Sequence, residues 1–188
     1  GLAASETAVF SGKFPVPVTV PVPGGETLAA IWNCGRPKGR SRPTMSDPNH
    51  VALVTGFEPF AGDALNPSWM VAEWLHGQRV AGHRVQAVQL PTTFEGSIPA
   101  LRAALRRHRP CLVLALGQAG RAAIGVERVA INLIDARIAD NAGAQPVDVP
   151  VWPGAPAAHF ATLPVKAMVR AMRRGGLPAE QSFTAGSF

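Results

Sequence analysis

The sequence predicts an α/β fold, a three-layer α/β/α sandwich with a mainly parallel central sheet. Three observations lead there. Short apolar, β-branched runs recur along the chain from Val51 onward. Segments with apolar residues at helical spacing separate them, and Asn, Pro and Gly stand where those segments should begin and end. Strands separated by helices of that length imply a mainly parallel sheet with helices covering both faces.

The elements follow in order. Val51–Thr55 is the first strand, ending at Gly56. Asn66 can cap a helix with Pro67 in its first turn, and Met70, Val71, Trp74 and Leu75 are expected to form its inner face. Arg84–Leu90 reads as a strand. Ile98, Leu101 and Leu105 mark a second helix, with Arg102, Arg106, Arg107 and Arg109 on its wet side. Cys111–Leu116 is expected as a central strand and Val129–Leu133 as another. A last helix begins near Pro164, turns Val165, Met168, Val169 and Met172 inward, and stops at Gly175-Gly176. The chain has no internal repeats.

A chain of 188 residues with 47% apolar and 16% charged side chains can bury one full core. No apolar run approaches the ~18 residues that cross a bilayer. Cys34 and Cys111 form neither a metal spacing nor a disulfide framework, so a cytoplasmic location and no metal or cofactor are expected. The net charge of +6 divides evenly between residues 1–44 and the much longer remainder, which leaves the latter an ordinary solubility charge. Residues 1–44 stand apart. FPVPVTVPVPGG suits extended or edge-strand backbone, and CGRPKGRSRP reads as a basic linker. Met45 looks like a natural start, so 1–44 is expected to be a disordered or non-native extension and 45–188 the domain.

In sheets of this kind ligands gather where strands exit at the carboxyl edge. Two exit loops qualify, Gly56–Asn66 and Gly117–Arg121. Phe57 and Phe60 either wall a flat apolar ring or fold back into the core. Neither loop carries a phosphate-cradling glycine pattern. Glu127 is the unusual residue: a carboxylate among Val126, Val129, Ala130 and Ile131 is costly to bury unless a charge or hydrogen-bond donor meets it, and Arg128 and Arg137 lie nearby in sequence.

TGFEPFAG, NPSW, LGQAG, ERVAIN, DARIADNAG and the lead-in GLPAEQSFTAGSF recur here in the order seen in pyroglutamyl peptidase I (pyrrolidone-carboxylate peptidase), a family of cysteine peptidases. The resemblance covers about Val51 to Phe188. It implies a phosphorylase/hydrolase-like sandwich, a tetrameric assembly, no cofactor, and a Cys–His–Glu triad that releases N-terminal pyroglutamate from peptides. By position, Glu127 is the triad acid. Phe57, Phe60 and Phe188 match residues walling the pyroglutamyl ring, Gln118 one that binds its lactam amide, Asn66 a loop asparagine near the substrate, and Arg137 an arginine near the oxyanion. The chemistry is coherent, because a pocket of phenylalanines rejects the ammonium of an ordinary peptide at a cost of several kcal/mol.

Two departures accompany the resemblance. The family loop usually reads QAGGR, one residue longer than Gln118-Ala119-Gly120-Arg121. The family also continues from TAGSF into Val-Cys-Asn, so the nucleophile is expected as the second residue after Phe188 and the histidine some two dozen residues later. The chain as given is therefore expected to lack both and to be inactive. Cys111 is expected to pack as a small hydrophobe with a raised pKa, and His50, His76, His83 and His108 to be solvated; His159 is the best placed histidine by sequence but matches a family position that carries no triad role. Two other functions compete: a noncatalytic pyroglutamyl-binding remnant, and nucleic-acid binding through Arg102, Arg106, Arg107, Arg109, Arg170, Arg173 and Arg174. The few aromatics among these arginines favour a plain solvated face, with neither nucleic acid nor membrane as partner.

Overall fold

Three short strands precede the periodic part of the chain: β1 (Glu6–Val9), β2 (Thr19–Val22) and β3 (Thr27–Ala29). In this computed structural model the described residues are those three strands and 50–187. The expected linker at 34–43, Met45 and Phe188 lie outside them. β1 and β2 pair antiparallel, Glu6 opposite Val22.

The main sheet is built from β4 (Val51–Phe57), β5 (Arg79–Val80), β6 (His83–Leu90) and β7 (Leu112–Ala115), with α1 (Pro67–Leu75) and α2 (Phe94–His108) as crossovers. Its order is β5-β6-β4-β7. β4 lies parallel to both β6 and β7, and β5 is a short antiparallel edge. Alternation along β4 assigns the two faces. Val54 packs with Val71, Ala72 and Leu75 of α1 and with the last helix, whereas Leu53 packs with Val113 and with Ala104, Leu101 and Leu105 of α2. Helices on both faces make the three layers, as the sequence predicts.

The local reasons for the helices are visible. Asn66 caps α1, its Oδ1 accepting from the Ser68 amide at 3.0 Å, with Pro67 in the first turn. Thr93 caps α2, its Oγ1 accepting from the Gly96 amide at 3.1 Å, and the α2 arginines are exposed as expected. Half of the expected face fails: Trp74 points outward, 42% exposed, and Met70 is half-buried and outside the core cluster. The buried face of α1 is Ser68, Val71, Ala72 and Leu75 instead. At about 100° per residue Trp74 lies more than 90° around the helix from the centre of that face. Near its start the helix backbone rests on the strand: at Gly56 a Cβ would stand 2.4 Å from the Ser68 carbonyl oxygen and 2.5 Å from Trp69 Cα.

Beyond the sheet come β8 (Gly117–Ala119), β9 (Ile124–Glu127), β10 (Val129–Ile131), β11 (Ala158–Phe160), α3 (Val165–Arg174) and β12 (Ala179–Ser182). β3 pairs antiparallel with β8, β9 parallel with β12, and β10 antiparallel with β11. α3 buries Val165, Val169 and Met172 beside α1 and ends at Gly175 and Gly176, matching the expectation. The expected strand at Val129–Leu133 forms, shortened, in a separate antiparallel pair. At Arg128 the chain changes partners: its amide donates to the Ser182 carbonyl at 2.8 Å, while its carbonyl accepts from the Ala161 amide at 2.9 Å.

Candidate active site

The loop after β4 is held from several sides. The Glu58 amide donates to the Leu90 carbonyl at 3.0 Å. The Glu58 carbonyl in turn accepts from Asn66 Nδ2 at 3.0 Å and from Thr92 Oγ1 at 2.8 Å. Asn141 Nδ2 donates to the Pro59 carbonyl at 2.9 Å, and the Phe57 amide to Ser68 Oγ at 2.9 Å. A loop so tied presents Phe57 and Phe60, both half-buried, in a fixed place. Asn66 is itself buried, its amide committed to Glu58 and Ser68, so it shapes this loop. Gln118 on β8 joins the same loop, Nε2 donating to Asp63 Oδ2 at 3.3 Å.

Glu127 closes β9 and is 3% exposed. The cation that meets it is neither Arg128 nor Arg137 but Arg121, just beyond Gln118, whose Nη1 lies 3.2 Å from Glu127 Oε1. Arg128 is directed over the Phe160 ring, 6.0 Å from its centroid. Arg121 Nη1 also donates to Ser182 Oγ at 3.0 Å and Nη2 to the Thr184 carbonyl at 3.1 Å. Glu127 Oε2 is buried and has no hydrogen-bond partner among the described residues. A buried carboxylate with one oxygen anchored and the other bare is an acceptor poised for a donor. The apolar neighbours of Glu127 signal the need for a charge here but not which arginine fills it. Arg121 was legible only as the end of a glycine loop.

Arg137 is exposed, on a segment whose neighbours are fixed. The Ala136 amide donates to the Pro146 carbonyl at 2.9 Å, and the Asp135 amide to the Ser187 carbonyl at 2.7 Å. The last described residue thus sits beside the arginine segment. Phe188 lies outside the described residues.

Cys111 lies at the opposite, amino-terminal edge of the parallel sheet, its amide bonded to the Val51 carbonyl. It is exposed rather than packed within the strand as expected, because β7 begins one residue later. Its thiol donates to the Val51 carbonyl at 3.3 Å, and partial burial pushes its pKa up. His159 is exposed on β11, and His50 stacks on His83 with centroids 5.3 Å apart. Among the described residues no three His, Cys, Asp or Glu side chains cluster to hold a metal ion.

The sequence profile of the pyroglutamyl peptidase family matches residues 50–188. The chain belongs to that family. It is 61% identical over 137 residues to the pyrrolidone-carboxylate peptidase of Gloeobacter violaceus, covering 72% of this chain and 67% of that protein. Against the Streptomyces coelicolor enzyme of the same name it is 56% identical, covering 72% of this chain and 63% of that one. The fold is that of the Bacillus amyloliquefaciens pyroglutamyl peptidase I, with a TM-score of 0.72 and 44% identity over 74% of this chain and 68% of that one. The pyrrolidone carboxyl peptidase of Thermococcus litoralis gives the same TM-score at 39% identity, covering 74% of this chain and 64% of that one. This chain thus spans 63% to 67% of the length of these two curated relatives. Among the described residues no helix is long and apolar enough to cross a membrane.

Proposed function

We propose that this chain supplies the ring pocket and the triad acid of a cysteine-type omega-peptidase that removes pyroglutamate from the amino terminus of peptides. The observation that carries the proposal is Glu127: buried at a strand end, one oxygen fixed by Arg121, the other without a partner among the described residues. In a Cys–His–Glu arrangement the acid accepts the imidazole N–H, fixes its tautomer and stabilises imidazolium. In the family pattern the cysteine and histidine come from sequence that follows the position of Phe188, and the proposal takes them from there. The thiolate adds to the pyroglutamyl carbonyl, the imidazolium gives its proton to the departing amine, and water then hydrolyses the thioester to release pyroglutamate. Phe57, Phe60 and Phe188 take the apolar faces of the ring, Gln118 its lactam, and Arg137 the region of the oxyanion. The assembly would be a cytoplasmic homotetramer. Nucleic acid is the weaker partner, since Arg102 lies 4.0 Å over the Trp152 ring and Arg173 Nε donates to the Ala179 carbonyl at 2.6 Å.

The test is release of a fluorophore from a pyroglutamyl amide. Two proteins are compared: the 188-residue chain, and the chain extended through Val-Cys-Asn and the downstream histidine. Turnover is expected from the extended protein alone, and Glu127→Gln should lower it by about 10³-fold or more while leaving the melting curve in place. Turnover by the 188-residue chain that Cys111→Ser abolishes would overturn the mechanism. Ring binding without turnover by the extended protein would make it a noncatalytic remnant.

A further inference from the structure

The contact between Arg121 and Glu127 is more elaborate than neutralising a charge requires. A single ammonium would balance the carboxylate. Arg121 instead uses both terminal nitrogens. Nη1 serves Glu127 Oε1 and Ser182 Oγ, and Nη2 serves the Thr184 carbonyl. Ser182 is itself built into a turn, its Oγ donating to the Thr184 carbonyl at 3.1 Å and accepting from the Thr184 amide at 3.3 Å. The backbone makes room for this fork. At Gly125, inside β9 and two residues before Glu127, a Cβ would stand 2.9 Å from Arg121 Nη1, 3.3 Å from Glu127 Oε1 and 3.6 Å from Ser182 Cβ. The tight turn in which the Arg121 amide donates to the Ala119 carbonyl at 2.8 Å starts the side chain towards that gap.

We infer that Arg121 is a positioning residue: it fixes the Glu127 carboxylate so that Oε2 is presented for hydrogen bonding, and it clamps the exit of β12 to that carboxylate. Ser182 stands opposite Glu127 in the β9–β12 register, so one guanidinium sets the acid against the strand that runs on towards Phe188. This rests on Glu127 being the triad acid. A planar fork with fixed nitrogens holds two elements at once, and a lysine has only one nitrogen to share between them.

The experiment uses the extended, active protein and measures kcat and KM separately for Arg121→Ala, Arg121→Lys, Glu127→Gln and the Arg121→Ala/Glu127→Gln pair, with melting curves for each. Arg121→Ala should lower kcat by about 10- to 100-fold with KM nearly constant, since misplacement of about 1 Å is costly to a reacting array. Arg121→Lys, which keeps the charge and protects the fold, should recover only part of that loss. If Arg121 acts through Glu127, the pair should be no slower than Glu127→Gln alone. Parent-like kcat in Arg121→Ala, full recovery by lysine, or additive losses in the pair would each overturn the inference. Parent-like kcat in Glu127→Gln would instead remove the triad reading itself, so the two failures are separable.

Discussion

Asp140 shows how a residue outside the reaction can build its site. The side chain is buried, with Oδ2 accepting from the Phe94 amide at 2.8 Å and Oδ1 from the Ala142 and Ala144 amides at 2.9 Å each. Phe94 opens α2, so the carboxylate also meets a helix amino terminus. The turn it closes carries Asn141, which holds the Pro59 carbonyl beside Phe60. The Phe94 amide, against a smaller opposing push from burial and with help from the Ala144, Ala142 and Gly143 amides, holds the Asp140 carboxyl below its usual range. A folded pKa below the unfolded value means the stabilisation is present above the unfolded pKa of about 3.9 and is lost as pH falls through the folded one. Asp140→Asn should therefore melt earlier than the parent at pH 7, and the gap should narrow as pH drops below about 4. Melting curves across that range check it, and a gap independent of pH would show that charge is not the cause.

Among the elements, the seat of α1 on β4 has the least tolerance. Gly56 faces the Ser68 carbonyl and Trp69 Cα, both backbone, so no rotamer change can relieve an added methyl. The helix would have to lift, taking with it the Asn66 and Ser68 bonds that hold the loop bearing Phe57 and Phe60. Gly56→Ala is expected to cost about 1–3 kcal/mol, the range for overpacking a filled core. In the extended protein it should also raise KM. Urea melts and steady-state kinetics check the two effects, and an unchanged midpoint would mean that α1 and β4 are not in close contact.

At the scale of the whole molecule, β3 is the strand of residues 1–44 that pairs with the rest of the chain among the described residues. β3 adds three residues beside β8, Leu28 opposite Gln118. Backbone hydrogen bonds contribute about 0.5–1.5 kcal/mol net each, and ordering the chain costs about 1–2 kcal/mol per residue, so so short a pairing comes out near zero. Cleavage near Arg40 and Arg42 is expected to leave the melting temperature of the remainder in place. A fall of several degrees would show that β3 is a true wall of the strand carrying Gln118.

The alternating strands and helices were legible because they rest on local facts: β-branched runs at Val51–Thr55 and Leu112–Ala115, the Asn66-Pro67 start of α1, and the Gly175-Gly176 stop of α3. Glu127 stood out for the same reason, a charge set among apolar neighbours. The outward Trp74, the exposed Cys111, the detached pairing of Val129–Ile131 and the choice of Arg121 over Arg128 and Arg137 were not legible. Each of these depends on which distant segment comes close: the core that takes Val71, Ala72 and Leu75 of α1, Val51 beside Cys111, Ala158–Phe160 beside β10, Ser182 and Thr184 within reach of one guanidinium. Periodicity and capping act over a few residues and are written in the chain. Register and close approach act between segments far apart in sequence, and only packing the whole chain selects among the partners that local chemistry leaves equal.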